Sequence, residues 1–358
     1  MSTTTSNTTG TGGTGSTGGV GGTGRGGSSG SGTGGRKLTS DAMIASIAEE
    51  GARTVQAPLG HALVRAARED ERVVGLSADL AKYTDMHVFR DAMPDRFHQM
   101  GMAEQVMMGA AAGLAMEGFV PFASTYSVFA TRRAYDFLCL DIAEPRLNVN
   151  VVAALPGLTT GYGPSHQATE DIALLRGIPG MVIVDPCDSV DIEQAVPQLI
   201  AHEGPTYTRI LRGAVPTVLD EYDYEFRLGE AALLRGGDDV LFVSSGMMTE
   251  RALRAAAELE ADRIGVAVLH VPTIKPLDVE TVLEQVGRDR KVFVLENHSV
   301  VGGLFESVAS ALVQRGVARR MEHIGLPDEF LDAGALPTLY DRYGVSVPRI
   351  VERVRASL

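Results

Sequence analysis

From Leu38 to the C-terminus, short β-branched runs alternate with helical stretches, and this alternation restricts the fold more than any other feature. The runs "RVVGLSADL" (72–80), "FVPFASTYS" (119–127), "LNVNVVAAL" (147–155), "MVIVD" (181–185) and "PTYTRIL" (205–211) read as strands. Helical patterns fall between them: at about 59–68, in "MGMAEQVMMGAAAGLA" (100–115), in "VFATRRAYDFLCLDIA" (128–143), near 170–176 and from Ser189 to His202. Strands and helices at this spacing build a parallel sheet covered on both faces. A shift in composition at "DEYDYEFRLGE" (220–230) opens a second series, with strands at 239–245, 264–271, 291–296 and 320–326 and helices at 249–260, 278–286 and 303–315. The expected fold class is α/β, as two doubly wound domains over 37–225 and 226–358.

Residues 1–36 are almost all Gly, Ser and Thr, with Met1 and Val20 the only large apolar side chains. Such a segment cannot offset the entropy of ordering itself, so it is expected to be a disordered tail ahead of the helical pattern at 41–50. Its "GTGGTG" (10–15) has G-x-G-x-x-G spacing but neither the strand nor the helix that a dinucleotide site requires, and it reads as low complexity. The tail also lacks the apolar core of a secretory signal. A net charge of −13 disfavours nucleic acid and anionic membranes as partners, while leaving room for a local arginine pocket and small phosphorylated ligands. No apolar run approaches the ~18 residues of a membrane helix. Cys139 and Cys187 lie far apart in sequence, which suggests neither disulfides nor a zinc site and fits a reducing cytoplasm.

In open parallel sheets, ligands bind in the loops after the strands. Glu104 opens a helix otherwise made of Met102, Met107, Met108 and Ala110 to Ala112. An acid there can simply complement the helix dipole, worth some tenths of a kcal/mol. In so apolar a setting, however, a carboxyl needs a partner or a proton. Phe122, Tyr126 and Phe129 cluster in a chain only 6% aromatic, either as ordinary packing or as a wall for a flat heterocycle with Arg132 or Arg133 at its rim. The loop "LPGLTTGYGPSHQATED" (155–171) is long for a compact domain and carries His166, a group suited to acid, base or hydrogen-bonding work. "RILRG" (209–213) offers Arg209 and Arg212 at a strand end, for a phosphate or for a salt bridge. "ENHSVVGG" (296–303) reads as a strand-to-helix loop whose glycines permit a tight turn or a docked neighbour. No H-x-x-x-H or C-x-x-C spacing occurs, so no metal site built by this chain is expected.

Taken in order, "LSADL" (76–80), "GMAEQ" (101–105), "YSVFATRRAYD" (126–136), "GYGPSHQATED" (161–171), "GPTYTRILRG" (204–213), "VLENHSVVGGLFESV" (294–308) and "IGLPDEF" (324–330) resemble the transketolase family of thiamin-diphosphate enzymes, from about residue 50 onward. Such enzymes have three α/β domains, and this chain resembles the second and third. The G-D-G…N metal motif of the first is absent. The resemblance therefore implies the pyrimidine-binding subunit of a split transketolase. It implies a partner chain that holds the diphosphate and Mg²⁺, thiamin diphosphate shared between the two, and self-association through both domains. In the family, the acid at the Glu104 position hydrogen-bonds N1′ of the aminopyrimidine and helps the cofactor become a nucleophile. By the same matching, Phe129, Tyr126 and Phe122 form the ring slot, Asp79 lies near the cofactor, His166 contacts the substrate and takes part in catalysis, and Arg212 binds a sugar phosphate. Arg133 and Tyr162 fall at the substrate side.

Departures from the family pattern bear on the donor. Tyr162 stands where transketolases have an acid, Ala154 where they have a further histidine, and Tyr83 near a phosphate-binding serine. Arg53 is the nearest candidate for a second phosphate-site arginine. The form of the 159–171 loop is similar to split transketolases acting on unusual ketose phosphates such as apulose 4-phosphate. The expected function is transfer of a two-carbon ketol unit between sugar phosphates. The alternatives are the β subunit of a 2-oxo acid dehydrogenase and a non-catalytic binding protein.

Overall fold

The computed structural model describes residues 51–358. The Gly-rich stretch, its "GTGGTG" and the helix expected at 41–50 lie outside the described residues.

The first half of the chain runs β1 (Thr54–Gln56), α1 (Pro58–Glu69), β2 (Val73–Ser77), α2 (Met86–Ala92), β3 (Phe97–Gln99), α3 (Glu104–Met116), β4 (Val120–Tyr126), α4 (Tyr135–Phe137), β5 (Asn150–Ala154), α5 (Asp171–Arg176), β6 (Val182–Val184), α6 (Ser189–Ala201), β7 (Thr206–Ile210) and β8 (Ala214–Pro216). The second half runs β9 (Ala232–Arg235), β10 (Val240–Ser244), α7 (Met247–Glu260), β11 (Val266–His270), β12 (Thr273–Lys275), α8 (Val279–Val286), β13 (Lys291–Ser299), α9 (Leu304–Gln314), β14 (Met321–Leu326), α10 (Leu336–Arg342) and α11 (Val347–Ser357).

Seven strands form the first sheet, in the order β12-β6-β7-β5-β4-β2-β3, and five form the second, β14-β13-β10-β11-β9. Both are parallel except at one edge each, where β12 and β9 run antiparallel to their neighbours. The inner strands β2, β4, β5 and β7 are buried at every position, as their β-branched and small residues require when helices cover both faces. The edge strand β12 belongs by sequence to the second half yet completes the first sheet, pairing Thr273 with Val184. One continuous apolar cluster includes Phe122, Val152 and Ile210 of the first sheet together with Phe242, Phe293 and Leu295 of the second.

Two expectations need correction. The stretch 128–143 is not one α-helix: wide, π-type turns at Phe129–Arg133 and Leu138–Ala143 flank the short α4. The Thr131 hydroxyl donates to the Ser127 carbonyl at 2.7 Å, the kind of side-chain bond that competes with the helical ladder. The segment "ENHS" is not a loop either, because β13 continues through it to Ser299.

A buried ion network joins the halves. Arg209 on β7 is fully buried and donates from Nε to Asp171 (2.9 Å), from Nη1 to Asp185 (3.0 Å) and from Nη2 to the Asn297 carbonyl (2.9 Å). The Tyr207 hydroxyl donates to Asp171 at 2.7 Å, and the Ser245 hydroxyl to Asp185 at 2.8 Å. Arg209 is thereby structural, so of the two arginines of "RILRG" it is the one committed to buried ion pairs. Replacing it by Met strands two buried carboxylates. Urea denaturation of Arg209→Met is expected to show a loss of about 3–5 kcal/mol, and a loss below about 1 kcal/mol would show that the carboxylates find other partners.

Candidate active site

Five candidate residues reach the same edge of the first sheet, each placed by the end of a parallel strand. Asp79 follows β2, Glu104 follows β3, Tyr126 ends β4, the 155–171 loop follows β5, and Arg212 follows β7.

Glu104 is the first residue of α3, and its side chain is 4% exposed. Its partner is Arg133, whose Nη1 donates to Oε1 at 3.2 Å and Oε2 at 3.3 Å. The Arg133 guanidinium also lies over the Phe129 ring, 3.9 Å from its centroid. His166 sits among three rings, with centroids 5.9 Å from Tyr126, 5.5 Å from Phe129 and 5.4 Å from Tyr162, each edge-on. Its Nδ1 is 2.9 Å from the Ser165 hydroxyl. Burial, with a smaller push from the Arg133 charge, holds the imidazole below its ordinary range, so it is neutral at neutral pH. The Arg212 guanidinium lies over the Tyr126 ring, 5.7 Å from its centroid. Asp79 is exposed and left-handed at φ 61°, with its N–H donating to Gln99 Oε1 at 2.8 Å.

Some expected site residues lie elsewhere. Phe122 is not part of the ring wall. It lies four residues before Tyr126 on the same face of β4, about 13 Å deeper at the usual strand rise, and is fully buried in the core. Arg53 is engaged with Asp220 at 2.7 Å and Glu221 at 2.9 Å. Of the two rim arginines, Arg132 serves the loop: it donates to the carbonyls of Pro164 (3.0 Å) and Gln167 (3.3 Å) and pairs with Glu170. Two hollows, about 950 Å³ beside Arg290 and Arg353 and about 840 Å³ beside Arg251 and Tyr340, contain none of the ring-wall residues, though Arg53 lines the second. Tyr162 and Arg133 are open to solvent at the ring wall.

Several supporting residues escape sequence reasoning. Asp85 is buried, and its carboxylate accepts the Gly213 N–H at 3.0 and 3.1 Å, fixing the turn that presents Arg212. Burial pushes this carboxyl up to about 6, against the pull of the Gly213 N–H and the Arg212 charge. The second half braces the His166 loop. Asn297 Oδ1 accepts the Leu158 N–H at 2.9 Å, the Gln167 amide donates to the Asp332 carbonyl at 3.2 Å, and Gly334 N–H donates to the Gly161 carbonyl at 3.0 Å. Only "ENHS" hinted at this, through its neighbouring glycines. Glu296 in that segment caps α9, accepting the N–H groups of Leu304 at 2.6 Å and Phe305 at 3.0 Å.

Residues 52–217 match the transketolase pyrimidine binding domain, and residues 229–350 the transketolase C-terminal domain. The chain belongs to the transketolase family. It is 62% identical over 321 residues to an uncharacterized transketolase family protein of Sinorhizobium fredii, covering 89% of this chain and 93% of that one. It is 39% identical over 290 residues to the 6-deoxy-6-sulfo-D-fructose transketolase subunit SqwH of Clostridium sp. (strain MSTE9), covering 81% of this chain and 89% of that one. Its fold matches a split-gene transketolase solved as an inactive β4 tetramer, with a TM-score of 0.76 and 37% identity, covering 86% of this chain and 98% of that one.

Transketolases depend on thiamin diphosphate. The donor set here fits one end of it, since a buried carboxylate beside an aromatic face suits a flat ring bearing nitrogen. Among the described residues no group of three or more His, Cys, Asp or Glu side chains is arranged to hold a metal ion. Likewise, among them no helix is long and apolar enough to cross a membrane.

The site makes a pH-dependent prediction. Histidine C2-hydrogen exchange read by mass spectrometry is expected to give His166 a midpoint below that of a free imidazole. Tyr162→Ala, which admits water to the ring, is expected to move the midpoint upward because hydration favours the imidazolium. A midpoint that stays put would mean Tyr162 does not shield the ring.

Proposed function

We propose that this chain is the pyrimidine-binding subunit of a split, thiamin-diphosphate-dependent transketolase. In this reading it transfers a two-carbon ketol unit between anionic sugars together with a diphosphate-binding partner. The observation that carries it is the buried Glu104 carboxylate joined to the Phe129 ring through Arg133, with His166 packed on Phe129 and Tyr126 and Arg212 over Tyr126. When bound, the cofactor supplies the carbon nucleophile. Glu104 holds the ring nitrogen through its carboxyl oxygen, Phe129 supplies a stacking face, and Tyr126 backs it. His166, neutral and wedged among rings, offers a hydrogen bond to a substrate hydroxyl or carbonyl. Arg212 grips the anionic end of the donor, for which a guanidinium fork suits a phosphate or a sulfonate.

Diphosphate and Mg²⁺ would be held by the partner. The outer side of α3 supports such an assembly: Met102, Val106 and Met116 are exposed there, as are Phe119 and Leu140 close by. A split-gene relative that is inactive as a β-only tetramer agrees with the same division of labour. The two free cysteines fit a cytoplasmic setting. Arg212 and His166, both packed on Tyr126, favour sugar phosphates or sulfonates over 2-oxo acids as donors. SqwH, whose name specifies a sulfonated ketose, keeps the sulfonate option in view.

The pure chain is expected to show no ketol transfer with any sugar phosphate and to gain it on adding the partner. In the reconstituted pair, Glu104→Ala is expected to lower turnover by at least about 100-fold. Robust turnover by the single chain overturns the split reading, and a fully active Glu104→Ala pair overturns the role of the acid.

A further inference from the structure

We propose that Arg133 is an internal place-holder for the cofactor ring: in the cofactor-free chain its guanidinium fills the Glu104–Phe129 slot, and ring entry displaces it toward His166 to meet the anionic end of the donor. This rests on the assignment of that slot under Proposed function.

A guanidinium is flat and delocalised, stacks on aromatic faces and presents N–H donors in its own plane. A protonatable aminopyrimidine shares those properties. Arg133 uses all of them at once, lying 3.9 Å over Phe129 while Nη1 reaches both Glu104 oxygens at 3.2 and 3.3 Å. Both of those distances are at or beyond the long end of the N–H···O range, and the side chain is 52% exposed, so little holds it in place. Arg132 next door is bound to two loop carbonyls and to Glu170, which shows what a committed arginine looks like in the same turn.

The exchange keeps Glu104 satisfied throughout. A buried carboxylate cannot stand alone, and it trades one in-plane donor for another. The freed guanidinium has a destination close by. His166 already packs against Phe129, the ring Arg133 covers, and the imidazole registers its charge. Cofactor binding would thus bring a second cation to the donor site beside Arg212, so that the charge for the substrate arrives only once the ring is seated. An occupied slot also lowers apparent cofactor affinity by the fraction of chains in which it is open.

Free thiamin, titrated calorimetrically into the full chain, tests this without the partner. Arg133→Ala, and Arg133→Met as a second variant that keeps the aliphatic stem, are expected to bind thiamin roughly tenfold tighter than wild type. Adding Glu104→Ala is expected to abolish that gain. In the reconstituted pair, the Arg133 variants are expected to bind thiamin diphosphate more tightly while raising KM for a sugar-phosphate donor, a split that simple loss of fold would not give. Thiamin binding by the Arg133 variants that is no tighter than wild type, undetectable binding included, overturns the place-holder. If thiamin binds but is indifferent to Glu104, the slot assignment itself falls instead.

Discussion

Arg209 carries a full positive charge into the interior, and the junction between the two halves is organised around keeping it paired. Its three bonds end on Asp171 at the start of α5, on Asp185 after β6 and on the Asn297 carbonyl within β13. None of those partners can drift without leaving a charge unmatched where water cannot reach it. The side chain therefore sets where the second half stands against the first sheet. It also fixes the chain on which the candidate site depends, because Asp171 is the last residue of the His166 loop. The antiparallel pairing of β12 on β6 acts in the same direction from the sheet edge.

With that end anchored, the loop can tolerate strain at the other. Leu155, immediately after β5, adopts φ 60°, which costs a non-glycine residue roughly 1–2 kcal/mol. The turn is held by Asn297, which accepts from Leu158 N–H at 2.9 Å and donates to the Pro156 carbonyl at 3.3 Å. Gly157 packs so closely on Asn297 that a side chain there would collide with the Asn297 carbonyl. Gly161 meets Gly334 in the same way. The second half thus supplies none of the ring wall yet shapes it, by holding the loop so that His166 lies against Tyr126 and Phe129.

What was legible in the sequence was whatever periodicity and local chemistry encode. Alternating strands and helices announced the two parallel sheets, and a lone acid on an apolar helix marked Glu104 as a candidate. The length of the 155–171 loop drew attention to His166 in the same way. Properties set by distant partners were not legible. The pattern of 128–143 is helical in composition, but a Thr131–Ser127 bond and the wide turns break it. Phe122 has the right chemistry for a ring wall but the wrong depth on its strand, and spacing in sequence cannot separate the two. The roles of Asp85 and Asn297 exist only through contacts more than a hundred residues away. The departure of β12 into the first sheet is likewise a tertiary choice that a three-residue strand cannot signal.

Charge at the mouth of the wall constrains the chemistry of the proposed donor further. His166 is neutral at neutral pH, so on the proposed reading anion recognition would fall to guanidiniums, which stay charged at any working pH. An always-charged fork grips phosphate and sulfonate alike and is a poor discriminator between them. Discrimination must then come from groups whose contribution depends on shape or on charge count. Tyr162, edge-on to His166 and open to solvent, replaces a carboxylate with a neutral ring and removes a repulsion that an anionic donor would otherwise meet. Asp85, ionised above about 6 beneath the Arg212 turn, offsets part of the arginine's charge and so weakens the premium on a dianion over a monoanion. On the proposed reading, both features lean the same way, toward a site that would accept a singly charged oxyanion as readily as a doubly charged one.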